Sequence, residues 1–230
     1  SRPQEDNVIP WKLLGTATTS RNGSELRLYQ RDTEFSIKAD SQELMNSQVH
    51  GSEDALAKLA CEKINDNKAV RVLVGGLGLG YTLRAALNEL KPDAEVVVAE
   101  IVPDVLEWNK KFLGHLADYP LEDDRVNVQL DDVAQVIRGG RSGYDAIMLD
   151  VDNGPEGLTQ KSNDWLYSKA GLNVVYRALR PKGVLGVWSA GSDRAFTKRL
   201  VTAGFEVNEV PVRAHRGKGA RHLIWVARIP

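Results

Sequence analysis

A chain of 230 residues with a formal net charge of -1, 42% hydrophobic and 27% charged, carries enough apolar material for one substantial core plus a small module, and too much to stay unfolded. The near-neutral charge excludes bulk attraction to nucleic acid or an anionic membrane, so electrostatic specificity must be local. A single cysteine, Cys61, excludes an intramolecular disulfide and a cysteine-based metal cluster; with no apolar run near the roughly 18 residues of a membrane span, a cytoplasmic protein is expected.

In chain order, residues 26–30, 34–38 and 43–45 are short, polar-rich and separated by Arg-Asp and Ala-Asp turns, the pattern of a small β-meander. This predicts an N-terminal β-rich module over residues 1–52. A helix over 53–64 leads into a main domain over residues 53–230. There, β-branched runs at 69–74, 95–99, 126–129, 144–149 and 183–188 alternate with helical stretches near 81–90, 103–113, 133–138 and 164–179. That alternation predicts βαβ units on a mostly parallel sheet. After a helix near 195–203 it breaks, because strands at 205–210 and 222–228 have only the loop 211–221 between them. Two consecutive strands without a helical crossover must pair antiparallel. The predicted fold is therefore α/β, a seven-stranded methyltransferase-like doubly wound sheet with a C-terminal antiparallel hairpin and a small N-terminal meander.

The strongest local signal is the run Val72-Leu73-Val74 followed by Gly75, Gly76, Leu77, Gly78, Leu79 and Gly80, a buried strand entering a glycine-rich turn that opens a helix. Glycines allow close backbone approach to a ligand, and amides at the helix start attract electron-rich groups. Glu100 follows 20 residues after Gly80 at the end of the second strand, where a carboxylate can take both ribose hydroxyls in a fork. Ile101 comes next. Asp131 and Asp132 end the third strand, placed to meet an adenine amino group or to cap the following helix. The fourth strand ends in Asp150, Val151, Asp152, Asn153, Gly154 and Pro155, at the edge where open α/β sheets hold ligands. Acidic groups there suit a cationic amine or its proton, although the run is also good turn chemistry.

Together these residues resemble the spermidine synthase-like family, the polyamine aminopropyltransferases, from about Leu44 to the C-terminus. The resemblance implies S-adenosylmethionine or its decarboxylated form as co-substrate, Glu100 on the ribose, Asp132 at the adenine edge and Asp150 facing the transferred group. Residues 44–53 are similar to the family's segment that reaches over the nucleoside, with His50 where a Gln is usual. Three departures touch the polyamine half: Gly78 stands where the family's loop has an Asp, the aromatic-polar pair is missing from residues 54–58, and Asp152 and Asn153 replace part of an Asp-Ser-Ser-Asp-Pro run. Arg213, His215, Arg216, Lys218 and Arg221 crowd the last loop. They read either as a solvated basic hairpin or, overhanging the pocket, as an anion site that repels a dication. Trp108, Trp165, Trp188 and Trp225 are assigned to packing, and His115 and His222 lack metal-like spacing, so no metal is expected.

The function expected is alkyl transfer, aminopropyl or methyl, to a small amine-type acceptor, with Asp150 catalytic, Asp152, Asn153 and Arg213 on the acceptor, and poor use of putrescine. The competing reading is a non-catalytic or regulatory adenosine-nucleoside-binding protein derived from the same family. A nucleic-acid partner is disfavoured by charge and missing aromatic interleaving, no membrane contact is expected, and homodimerisation is left open.

Overall fold

The structure, a computed structural model, describes residues 9–19, 23–150, 164–215 and 218–230. Four antiparallel strands, β1 (Lys12–Thr18), β2 (Glu25–Arg31), β3 (Glu34–Ala39) and β4 (Gln42–Asn46), form an N-terminal meander in sequential order. The sequence pattern anticipates the last three and misses β1. Only Ala17 of that strand is fully buried, so it lacks the alternation by which a half-buried strand is recognised. Tertiary contact compensates: the Trp108 indole lies against Gly15, leaving no room there for a Cβ.

The second sheet has seven strands in the order β10-β11-β9-β8-β5-β6-β7. Its members are β5 (Arg71–Gly75), β6 (Glu95–Ala99), β7 (Val126–Gln129), β8 (Tyr144–Leu149), β9 (Leu179–Ser189), β10 (Glu206–His215) and β11 (Lys218–Arg228). Strands β5 to β9 pair in parallel, and β11 joins antiparallel to both β9 and β10. This is the expected methyltransferase-like sheet. One element differs: β10 and β11 continue through most of residues 211–221, so the expected loop is largely strand.

Helices α1 (Gly51–Cys61), α2 (Tyr81–Glu89) and α3 (Pro103–Trp108) cover one face, and α4 (Val133–Gly139), α5 (Lys169–Ala178) and α6 (Arg194–Thr202) the other. Alternate residues of each strand feed the two cores. Val72, Val74, Ala146 and Met148 face α1 and α2, while Leu73, Ile147 and Leu149 face α4 and α5. The meander's Leu28, Phe35 and Ile37 join the first core, so the small sheet is packed against the same face as α1. From β5 the chain steps outward to β6 and β7, then returns to β8 and steps the other way to β9. The gap between β5 and β8 is therefore the topological switch point, where the carboxyl ends of the strands open a ligand crevice.

Candidate active site

The loop after β5 is shaped by three glycines in left-handed backbone, Gly76 (φ 89°), Gly78 (φ 52°) and Gly80 (φ 87°), a region costly for most side chains. Gly75 has Leu149 and Val133 within 3.1 Å of where a Cβ would sit. Gly76 and Gly78 keep some exposure while Leu77, Leu79 and Gly80 are buried. The open side of the loop is thus bare backbone, a cradle that closes if a side chain is added.

Glu100, 7% exposed at the end of β6, accepts from the Leu77 amide through Oε2 and from the Val102 amide through Oε1, both at 2.9 Å. Burial pushes its carboxyl up from the ordinary range, and the amides of Leu77, Val102, Ile101 and Gly78 pull it back toward ionisation. Four amides thus address one carboxylate, two of them in the close hydrogen bonds just described. Ile101 is partly buried against the first core. At the end of β7, Asp132 caps α4 by accepting from the Ala134 amide at 3.0 Å, and exposed Asp131 accepts from the Asp132 amide at 2.7 Å. The capping expected of one of the pair is performed by Asp132.

The segment between β4 and α1 closes over this loop. The Tyr81 hydroxyl donates to the Ser47 carbonyl at 3.2 Å, and the His50 ring stacks on Tyr81 with centroids 4.1 Å apart. His50 Nδ1 also lies 3.1 Å from Asp54 Oδ2. From β4 itself Met45 adds its thioether, the Sδ 2.9 Å from where a Cβ on Gly78 would lie.

Asp150 follows β8 at the rim. Glu53, in the first turn of α1, is pushed up to about 8 by burial and then by the charge of Asp150; burial pushes Asp150 itself up to about 6. Beside Glu53, Ser52 is 3% exposed, with its Oγ 2.6 Å from His222 Nδ1 on β11. His222 packs its ring edge against Trp188 of β9, centroids 4.9 Å apart, and burial lowers its pKa. Sequence reasoning missed Glu53 and Ser52 and gave His222 and Trp188 no functional role. Ser52 and His222 stand 170 residues apart, and no local spacing marks such a pair.

Arg213 meets the start of α1 by its backbone, its carbonyl oxygen 3.2 Å from where a Cβ on Gly51 would sit, while its side chain takes the other face. Val210 and Val212 face the first core and Val207 the second, so by strand alternation Arg213 lies on the α6 face, opposite Arg221 in register. Arg213 donates to the Gly219 carbonyl at 3.2 Å. Asp152 and Asn153 lie outside the described residues. A cavity of about 530 Å³ opens on the α6 face, lined in part by Tyr167, Val187, Asp193, Phe196 and Trp225. Beside it Trp225 donates to Thr197, and Asp193 caps α6. Among the described residues, no group of His, Cys, Asp and Glu could hold a metal ion, and no helix is long and apolar enough to cross a membrane.

Comparison with known proteins agrees with this geometry. Residues 50–201 match the spermine/spermidine synthase domain. Polyamine aminopropyltransferase from Clostridium botulinum is 33% identical over 117 residues, covering 50% of this chain and 38% of that protein. The enzyme of that name from Saccharolobus solfataricus is 30% identical over 140 residues, covering 60% and 44%; the match thus spans less than half the length of either relative. The crystal structure of spermidine synthase from Thermotoga maritima superposes with a TM-score of 0.76 at 16% identity, over 95% of this chain and 73% of that one. A domain match over more than half of the sequence, on this sheet order and with this glycine loop, establishes that the chain belongs to the spermine/spermidine synthase family.

Proposed function

We propose that the protein transfers an alkyl group, aminopropyl or methyl, from an S-adenosyl sulfonium donor to a small amine, with decarboxylated S-adenosylmethionine the donor that family membership favours. One observation carries the reading. The Glu100 carboxylate is clamped to the underside of an open glycine cradle at the switch point, and Asp150 stands across the β5–β8 gap. Bare backbone at Gly76 gives a nucleoside close approach, and the Glu100 carboxylate beside it is the acceptor for a ribose diol. Asp131 and Asp132 border the adenine side.

A sulfonium already carries its own leaving group, so the protein's work is alignment, proton removal and exclusion of water. An amine acceptor enters as an ammonium ion, and Asp150 with Glu53 holds it and takes a proton. The freed nitrogen lone pair then attacks the carbon on sulfur, the carbon–sulfur bond breaks with its electrons going to sulfur, and a neutral thioether nucleoside leaves. The Ser52–His222 pair fixes the first turn of α1, and with it Glu53, against the sheet. Calorimetric titration with S-adenosylmethionine, its decarboxylated form and methylthioadenosine, followed by product analysis with putrescine, tests the reading. Nucleoside binding with no transfer to any amine would favour the non-catalytic alternative, and no binding at all would remove both.

A further inference from the structure

Position 78 has no side chain, yet the space a side chain would occupy is filled. Met45 Sδ lies 2.9 Å, and its Cε 3.4 Å, from where a Cβ on Gly78 would sit. The contact is built by the fold: β4 pairs with β3 through Ile37 and Met45 on one side and Lys38 and Glu43 on the other, so Leu44 is an extra residue in the ladder. Bulges of this kind re-aim the next side chain. The Tyr81–Ser47 hydrogen bond and the His50–Tyr81 stack hold the same segment on the loop.

Sheet order decides what passes beneath Met45. Glu100 stands at the end of β6, Asp150 at the end of β8, and the glycine loop at the end of β5 between them. If the ribose lies at Glu100 and the transferred carbon near Asp150, the sulfur and its long substituent must cross the exposed backbone of Gly76 and Gly78. Met45 supplies the side-chain atoms lying against Gly78 there. A thioether is soft, adaptable and uncharged.

We propose that Met45 is the residue that sets donor specificity, by giving the sulfonium's long substituent an uncharged thioether wall in place of a charged partner. The inference rests on the adenosyl site proposed above. A wall of this kind distinguishes poorly between a zwitterionic substituent and a cationic one, so S-adenosylmethionine and its decarboxylated form bind with similar affinity.

The test is calorimetric titration of the full chain, wild type and variants, with S-adenosylmethionine, its decarboxylated form and methylthioadenosine, which lacks the charged substituent. In the wild type the two sulfonium donors should bind within about threefold of each other. Two routes place a carboxylate in the same space: Met45→Glu alone, or Met45→Ala with Gly78→Asp, Asp being among the few residues that tolerate left-handed backbone. Either should shift the ratio of affinities toward the decarboxylated donor by about tenfold or more, as a charged hydrogen bond does. Methylthioadenosine should change by less than about threefold. A tenfold wild-type preference for the decarboxylated donor, or a folded Met45→Glu that moves all three ligands together, would overturn the role of Met45. Failure of all three to bind the wild type would instead overturn the adenosyl site.

Discussion

Glu100 Oε2 accepts from the amide of Leu77 at 2.9 Å, joining the end of β6 to the turn after β5 across 23 residues of sequence. The same carboxylate holds the Val102 amide, so it shapes the cradle in addition to the ribose role proposed for it. Glu100→Ala orphans two amides and removes the ribose acceptor. Charged hydrogen bonds are worth about 1.5 to 3 kcal/mol, so methylthioadenosine affinity should weaken by about 2 kcal/mol or more, with a lower melting temperature. Glu100→Gln keeps one acceptor oxygen but sets an NH2 against the other amide, so it should weaken binding as well. An unchanged dissociation constant in folded Glu100→Gln would take the carboxylate away from the ribose.

The sheet, its terminal hairpin and the glycine loop were legible because each is a local pattern: β-branched runs, alternation with helices, and glycines directly after a strand. The face on which a side chain stands was not. The basic run near the C-terminus was read as a loop, either solvated or over the pocket, whereas Arg213 and Arg221 lie on strands, where a shift of one residue changes the face. Arg213 and His222 thereby fall on opposite sides of the sheet. Glu53 falls within the segment 44–53 but carries no local mark of a role, since only the packing of α1 brings it within electrostatic reach of Asp150.

Asp145 gives a prediction about stability alone. Buried at the start of β8, it accepts from the Arg71 amide at 2.8 Å, Arg180 at 2.7 Å and Asn67 at 3.1 Å. These partners lie at the amino ends of the strands, away from the crevice. Asp145→Ala leaves several polar groups unpaired and should destabilise the fold by about 2 to 4 kcal/mol, the exposed side of Arg180 tempering the loss. Urea unfolding should record the drop while methylthioadenosine affinity stays unchanged; a large affinity loss in the folded variant would tie Asp145 to the site.

Ser52→Ala removes the partner of His222 Nδ1 on the buried side of α1. The ring nitrogen then lacks its hydrogen bond, at a cost of about 1 to 3 kcal/mol in stability. Because burial lowers the His222 pKa, the unfolded chain binds this proton more readily than the fold does. Stability from this group is therefore present above the ordinary His value near 6.5 and is lost as pH falls through the folded value. Melting curves of wild type and His222→Gln, followed downward from about pH 7, just above the ordinary His value, should differ in slope; identical slopes would dismiss the linkage.

The Glu53–Asp150 pair predicts the pH dependence of transfer. Asp150 is pushed up to about 6 by burial, and Glu53 to about 8 by burial and by the charge on Asp150. In the free protein near neutral pH the pair therefore holds one proton and one negative charge, and its two steps belong to the pair as a unit. Holding an ammonium and removing its proton both need ionised carboxylate, so the rate at low acceptor concentration should rise with pH through about 6 and again toward about 8. Stability should move the other way. Raised folded pKa values mean that the fold binds these protons more tightly than the unfolded chain, so stability from the pair is full below the ordinary carboxylate range near 4 and is lost as pH rises through about 6 for Asp150 and about 8 for Glu53. Glu53→Gln should leave the step near 6 and abolish the upper one; Asp150→Asn should lower the Glu53 pKa, because the neighbouring charge is gone while burial remains. Asp150→Asn should also cut the transfer rate by roughly 100-fold, the scale of a lost positioned base, with methylthioadenosine affinity nearly intact. Rate profiles and melting temperatures recorded together from pH 5 to 9, a range spanning both steps, decide it. A Glu53→Gln protein that keeps both steps would remove Glu53 from the pair, and an Asp150→Asn protein that loses nucleoside affinity along with rate would move Asp150 to the nucleoside side of the crevice.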